Sequence, residues 1–536
     1  MIHKMRGLVL PVIGGLVLIF VVLGLSVSRS FWWPSCFFGI LLLIGVYDVL
    51  QTRHAILKNY PLLGHLRFLL EDIGPEMRQY FVESNTSGTP FNRDQRSLIY
   101  QRSKDVNDKK PFGTELNVYQ PGYTWLAHSL APVEPMNDAA RKMRIEVGGP
   151  QCEQPYCASI FNISAMSFGS LSANAIRALN GGAAKGGFAH DTGEGGLSRY
   201  HREGGDIIWQ IGTAYFGCRS KDGGFDDDIF REVARLDQVK MIELKLSQGA
   251  KPGHGGVLPG SKVSEEIAGV RGIPVGKDCI SPPGHTTFST PIGLLEYIER
   301  LRSLSGGKPT GFKLCLGHPS EFLAILKAIL ETNILPDFIT VDGAEGGTGA
   351  APLEFSDHVG APLFDGLLFV HNALTGTGLR DQIRIAASGK RTSAVALAEA
   401  MALGADWCNS ARGFMLSMGC IQAQRCHTNT CPVGIATQDH HLQKALDPRL
   451  KSNRVYCYHK NTVESLAELV AAAGFRHPSE LHPCHIWRRI SATETRTLDQ
   501  LYHFMNEGDL LNGKSGSYLN HLWDKVRPDQ FDPACG

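Results

Sequence analysis

The stretch DFITVDGAEGGTGA (337–350) runs from a short apolar segment straight into a turn holding four glycines. Phe338, Ile339, Thr340 and Val341 are β-branched or aromatic, the residue types that fit a buried strand. Glycines after such a strand let backbone come close to a ligand. The same pairing of apolar run and small-residue turn recurs along the chain. Eight runs read as strands: ASIFNIS (158–164), GGFAHDT (186–192), DIIWQIG (206–212), KMIELKL (240–246), GFKLCLG (311–317), DFITVDG (337–343), IRIAASG (383–389) and DWCNSA (406–411). Helix-like segments such as LSANAIRALNGGAAK, PSEFLAILKAILETN and SAVALAEAMALG lie between them.

Eight β–α repeats over about 250 residues predict an α/β protein built on a (β/α)8 TIM barrel. An open doubly wound sheet is the alternative, weakened by the count of eight and the lack of an early GxGxxG turn. In a barrel the functional residues sit at the C-terminal strand ends. Those ends carry Ser164–Ser167, Thr192–Gly196, Gln210, Lys245 with the loop SQGAKPGHGG, Lys313, Asp342 with GAEGGTGA, Ser388–Thr392 and Asn409–Arg412. Small-residue turns after strands six, seven and eight form a plausible phosphate cup, in which backbone N–H groups receive an anion.

The composition excludes some classes. Lys+Arg (53) and Asp+Glu (52) nearly cancel, so no basic excess points to nucleic acid. The N-terminus stands apart. Gly7 to Ser28 carries no charge and has the ~20 residues a membrane span needs. A second uncharged run, Phe31 to Tyr47, starts with Trp32 and Trp33, where an interfacial aromatic belt would lie. A secretory signal is the alternative for the first run. Lys4 and Arg6 precede the pair and Arg53, Lys58 and Arg67 follow it, which predicts a hairpin in the cell membrane with the catalytic body in the cytoplasm. The expected organisation is a transmembrane hairpin (1–50), a linker or barrel cover (51–150) with a helix at PLLGHLRFLLEDIG (61–74), the barrel (151–412), a cysteine loop (413–440) and a mostly helical C-terminal extension (441–536). In that extension NTVESLAELVAAAGF (461–475) reads as a helix capped by Asn461 and stopped by Gly474. Cys152 and Cys157 read as structural thiols.

The cysteine loop reads CIQAQRCHTNTCPVG (420–434), spaced C-x5-C-x4-C. A reducing compartment makes a disulfide knot a poor reading. Zinc would want a fourth ligand, which His427 could supply. An iron–sulfur cluster on three thiolates is the other metal reading.

In this order, ISAMSFGSLS, DTGEGG, KLSQGAKPG, LPGSKV, ISPPGH, DGAEGGTGA and CHTNTCPVGIATQ resemble the flavin-binding central domain of glutamate synthase, from about Cys157 to His440. The resemblance implies FMN in the barrel and a [3Fe–4S] cluster on Cys420, Cys426 and Cys431. It implies reduction, by hydride from reduced FMN, of the imine of 2-oxoglutarate and ammonia to L-glutamate. By motif, Ser164, Ala165, Met166, Ser167, Gln210 and Lys313 are expected around the isoalloxazine. Backbone from Gly346, Gly347, Thr348, Gly349, Ser388, Gly389, Lys390, Ser410, Ala411 and Arg412 is expected around the phosphate, and Lys245 and Asp342 are further expected cofactor-binding residues. Glu194, Lys251, Arg271 and His254 form the expected substrate group, with Glu194 a proton shuttle if its pKa is raised.

Two departures bear on substrate and partners. The family pattern KPGEGGQLPG reads KPGHGGVLPG here, placing His254 for an acid and Val257 for a glutamine that helps bind 2-oxoglutarate. The N-terminus reads as a hairpin rather than as an amidotransferase domain, and no NAD(P) fingerprint is seen. A separate amidotransferase and an external donor, a ferredoxin or reductase subunit, are therefore the expected partners. The alternatives are an amine or N-methyl-amino-acid synthase or dehydrogenase on the same scaffold, or a membrane-tethered electron-transfer subunit.

Overall fold

The computed structural model describes residues 8–513 and 518–533. Lys4 and Arg6, on which the expected membrane orientation partly rests, lie outside the described residues. The chain divides after Arg93 into two compact units.

In the first unit, Val9–Ser26 and Trp32–Leu50 are helices. The helical segments Val9–Ser26 and Arg29–Leu50 are long and apolar enough to cross a membrane. Phe20 stacks on Phe38 at 5.6 Å between ring centroids. Leu18, Val22 and Leu43 are exposed, as a lipid-facing surface would be. At the end of the second helix the carboxylate of Asp48 is fully buried, accepts from Leu62 N at 2.9 Å and pairs with His65 Nε2 at 2.9 Å. The helix expected at 61–74 spans Leu63–Met77.

In the second unit all eight runs enter one closed parallel barrel. Its strands are β1 (Phe161–Ile163), β2 (His190–Asp191), β3 (Ile207–Ile211), β4 (Val239–Lys245), β5 (Thr310–Leu314), β6 (Phe338–Asp342), β7 (Arg384–Ser388) and β8 (Trp407–Ser410). Each pairs in parallel with its sequence neighbours, and β8 closes on β1 through Cys408↔Phe161 and Ser410↔Ile163. Helix starts follow cap chemistry. Ser172 Oγ accepts from Ala175 N to open Ala173–Gly186, and Thr290 does the same from Gly293 N for Pro291–Ser305.

Two of the expected strands, Phe161–Ile163 and His190–Asp191, keep less than half of their sequence runs. Gly186 and Gly187 close the preceding helix, leaving only His190–Asp191 on the ladder. Within ASIFNIS, Ala158 and Ser159 belong to a hairpin, Arg144–Val147 against Tyr156–Ser159. This hairpin plugs the N-terminal end of the barrel. Val147, Tyr156 and Ala158 pack on Met241, Phe338, Ala386 and Trp407, burying apolar surface that an open end would leave wet.

The C-terminal extension departs from the sequence reading in two places. A single helix, Pro448–Ala472, is capped by Asp447 and runs straight through Asn461. Asn461 is therefore a mid-helix residue; its amide donates to Arg102 O and Asp105 Oδ1, both at 2.9 Å. Gly474, with φ +92, follows the helix end as expected. The extension also contributes strands Ile486–Arg489 and Thr495–Thr497, which join Thr124–Leu126 in an antiparallel sheet.

The helix Pro448–Ala472 packs on Ala173–Gly186 so closely that a Cβ at Gly182 would sit 2.6 Å from Val455 Cβ. Gly182→Ala is expected to destabilise the protein by about 1–3 kcal/mol through overpacking. Gly269→Ala, in a helix with no atom near the added methyl, is expected to be neutral or stabilising by up to ~1 kcal/mol. Chemical denaturation of both variants checks the contrast.

Candidate functional site: a cationic cleft at the barrel mouth

The C-terminal strand ends enclose a cleft with about 1030 Å³ of empty space, part of it open to solvent. Ala165, Met166 and Ser167 enter it from the turn after β1, Glu194 from the turn after β2, and Gln210 and Lys245 from β3 and β4. The turns after β6 and β8 supply Gly347, Thr348, Gly349, Ala411 and Arg412. Lys251, Val257 and Arg271 come from the long excursion between β4 and β5.

Glycine decides how closely these turns approach. A Cβ at Gly249 would run into the carbonyl of Gly343, so the loops after β4 and β6 meet backbone to backbone. A Cβ at Gly256 would strike the Glu194 carboxylate. The Gly-Gly pair of KPGHGGVLPG therefore leaves Glu194 its place.

Glu194 faces an excess of positive charge. Its Oε1 lies 3.0 Å from Lys245 Nζ, with both side chains mostly buried. Burial pushes the Glu194 carboxyl up, but Lys245, Arg271 and Lys251 together outweigh it and hold it below the ordinary glutamate range. The raised pKa that a resting proton donor would need is thus reversed: Glu194 rests as a carboxylate. Lys251 is pulled down to about 8, chiefly by burial, against the opposing pull of Glu194. Its Nζ donates to Ala350 O at 2.9 Å. Arg271 donates to Phe168 O at 3.1 Å, while its buried Nε has no hydrogen-bond partner among the described residues.

Beneath the cleft lies a buried polar layer that the sequence reading did not single out. Glu243 accepts from Gln210 Nε2 and Thr340 Oγ1, both at 2.6 Å, and lies 3.8 Å from Lys313 Nζ. Burial, and then the neighbouring Glu243, push the Asp191 carboxyl well up, against the opposing pull of Lys313. Lys313 is opposed by burial but kept cationic by Glu243, Asp191 and Asp342. Lys313 belongs to this layer rather than to the cleft lining. Polar residues at Gln210, Glu243 and Lys313 in otherwise apolar strands were the signal for it.

Ser164 and Ser388 approach at 3.3 Å between hydroxyls, and Ser410 O accepts from Ser164 N, so these strand ends form the rim's foundation. Asp342 accepts from Gly249 N at 2.8 Å. Gly389 and Lys390 turn with positive φ after β7. Burial lowers the pKa of Lys390 and of Arg412, and Arg412 depresses Lys390 further. Arg412 Nη2 donates to Glu345 O at 2.6 Å, and its guanidinium lies against Gly347 and Gly346 follows Gly343 in the same turn. Two desolvated cations beside a glycine turn suit a phosphate.

His254 is not brought into the cleft. Its Nδ1 lies 2.9 Å from Gly255 O and its ring meets Phe355 edge-on at 5.3 Å, so the expected substrate role is not supported by its position.

Cys426 also lines the cleft, which therefore reaches the cysteine loop. Cys420, Cys426 and Cys431 are free thiols near enough to influence one another, with Cys420 pushed up to about 12 by burial. Among the described residues no three His, Cys, Asp or Glu side chains stand at metal-binding geometry. Two buried cations act on the thiols, Lys262 on Cys426 and Cys431 and Arg96 on Cys420, and Arg96 Nε has no hydrogen-bond partner among the described residues. Buried cations of this kind would offset negative charge on the sulfurs.

A family model described as a conserved region in glutamate synthase matches residues 134–476. The chain is 40% identical over 499 residues, 86% of its length and 94% of the other, to the glutamate synthase large subunit-like protein YerD of Bacillus subtilis (strain 168). It is 36% identical over 314 residues to the archaeal glutamate synthase (NADPH) of Methanocaldococcus jannaschii, covering 58% of each chain. A solved flavocytochrome b2 with benzoylformate overlaps with a TM-score of 0.42 at 13% identity, over 83% of this chain and 97% of that one. That overlap is too loose to argue from, and the barrel rests on its own strand pairing.

Among the described residues, Glu194 is the one carboxylate lining the cleft beside Lys245, Lys251 and Arg271. Glu194→Gln is expected to cost about 1–3 kcal/mol of stability at low salt, the scale of a charge-assisted hydrogen bond. Added sulfate should recover part of the loss by occupying the cationic cleft, and thermal unfolding with and without sulfate checks this.

Proposed function

Because the chain belongs to the glutamate synthase family, we propose that it is an FMN- and iron–sulfur-dependent oxidoreductase that converts 2-oxoglutarate, or a related keto acid, and ammonia to L-glutamate. The observation that carries this reading is the grouping of Glu194 with Lys245, Lys251 and Arg271 in one cleft. When bound, FMN would supply a hydride to the imine carbon and a [3Fe–4S] cluster would supply electrons one at a time. Lys390 and Arg412 are the residues suited to the FMN phosphate. Cys420, Cys426 and Cys431 would hold the cluster.

The chain's own groups account for the acid–base work. Lys251 and Arg271 pair with the carboxylates of the keto acid. As a carboxylate, Glu194 accepts a proton from ammonium and frees the amine to add to the keto carbon. Neutral Glu194 then returns that proton to the departing hydroxyl, which leaves as water and forms the imine. Val257 lines the cleft where the family pattern has glutamine, which favours keto acids with a less polar distal end. Electrons would come from an external ferredoxin or reductase subunit, and the two apolar helices would hold the body at a membrane.

The test is production of L-glutamate by the chemically reduced full-length protein supplied with 2-oxoglutarate and ammonium, with other keto acids and methylamine in parallel arms. Glutamate from ammonium supports the proposal. Product only with methylamine transfers it to the amine-synthase alternative, and no product in any arm overturns it.

Lys251 is cationic below about 8 and neutral above it. The apparent KM for the keto acid should therefore be flat below that pH and rise roughly tenfold per unit well above it, because the anion loses a counter-charge. Lys251→Ala should raise KM throughout and remove the dependence. Arg412→Ala should weaken FMN retention by ~1.5–3 kcal/mol, read as flavin lost on dialysis.

A further inference from the structure

We infer that Lys262 is a positioning residue that fixes the cysteine loop to the barrel mouth and supplies the positive charge beside its sulfurs. This deepens, and rests on, the iron–sulfur reading above.

Lys262 lies in the LPGSKV segment, on the short turn Gly260–Lys262, and is 2% exposed. Its ammonium has three N–H donors, and three carbonyls take them. These are Cys426 O at 2.7 Å, Ala436 O at 3.0 Å and Ser170 O at 3.2 Å. Ser170 belongs to the turn after β1, while Cys426 and Ala436 lie on the outgoing and returning arms of the cysteine loop. One side chain thus ties three segments together.

Neighbouring neutral groups add to the seam. Gln438 Nε2 donates to Gly169 O at 3.0 Å and Leu171 O at 2.9 Å. Ser172 Oγ donates to Gly434 O at 2.7 Å, and Asn429 Nδ2 to Ser261 O at 3.2 Å. These bonds can hold the loop's path, but none carries charge.

Carbonyls solvate an ammonium without neutralising it, and a buried charge without a counter-charge is costly. Among the described residues Lys262 makes no ion pair with a carboxylate. Burial lowers the pKa of Lys262, and the acidic groups that oppose this are the thiols of Cys426 and Cys431. The lysine is therefore built for a site in which those sulfurs are negative. Net charge and hydrogen bonding around the sulfurs set an iron–sulfur potential. A fixed cation favours the reduced, more negative form, so its removal should lower the potential and loosen the cluster.

The experiment compares the full-length protein, purified without oxygen, with Lys262→Met and Lys262→Arg. FMN and iron per chain are measured, and the cluster's midpoint potential is followed by electron paramagnetic resonance. Lys262→Met should keep FMN and either lose at least half its iron or shift to lower potential. The expected shift is a reduced-to-oxidised ratio at least tenfold smaller at the parent's midpoint, ~59 mV for one electron. Lys262→Arg should restore the parent's behaviour. If Lys262→Met does not fold, as judged by lost FMN, Lys262→Gln replaces it, keeping a donor without the charge. Parent-like iron and potential in the uncharged variant overturn the inference. Equal iron loss in the Met and Arg variants, with FMN intact, overturns the role of charge. A parent protein that carries FMN but no iron instead overturns the iron–sulfur reading.

Discussion

The ion pair between Lys245 and Glu194 sets the character of the barrel mouth. A carboxylate placed among Lys245, Lys251 and Arg271 would be protonated by burial alone, yet the cations prevail and keep it ionised. One negative charge cannot neutralise three positive ones, and the cleft is left with a standing demand for anions. That demand makes the site chemically specific. It suits a dicarboxylate beside Lys251 and Arg271 and a phosphate beside Lys390 and Arg412. It also keeps Glu194 ionised in the resting cleft.

The glycines are the geometric counterpart of that electrostatics. Gly249 lets the loop after β4 touch the turn after β6, and Gly256 leaves Glu194 room to reach Lys245. Below them the layer of Gln210, Glu243, Thr340 and Lys313 holds the strand ends in register through short hydrogen bonds to one buried carboxylate. The position of Gln210 in the cleft is therefore fixed from beneath.

Much of this was legible in the sequence, and the exceptions share a cause. The eight strands could be read because each pairs a β-branched run with a small-residue turn. Glu194, Lys251 and Arg271 could be placed together through their motifs, and the structure does bring them into one cleft. Glu243 and Asp191 escaped notice because a buried acid inside an apolar strand has meaning only once its cross-barrel partners are known. That His254 lies apart from the cleft lining could not be read, because a loop motif does not say which way a side chain turns, and its ring meets Phe355 instead. Asn461 resembled a helix cap because Glu464 stands three residues on, as in a capping box, whereas packing on Ala173–Gly186 carries the helix back to Pro448. The sealing hairpin was hidden because Ala158 and Ser159 continue the same apolar run as β1.

Cys426 connects the cleft to the three-cysteine loop, so the two expected redox centres would share one continuous site. The central claim is that this cationic cleft and its cysteine neighbour hold a flavin and a cluster together. The most direct measurement is the visible spectrum of the full-length protein purified without oxygen, with FMN and iron quantified per chain. The account predicts a yellow-brown protein with about one FMN and about three irons per chain, the composition of one [3Fe–4S] cluster on three thiolates. A folded, colourless protein with neither flavin nor iron would contradict it.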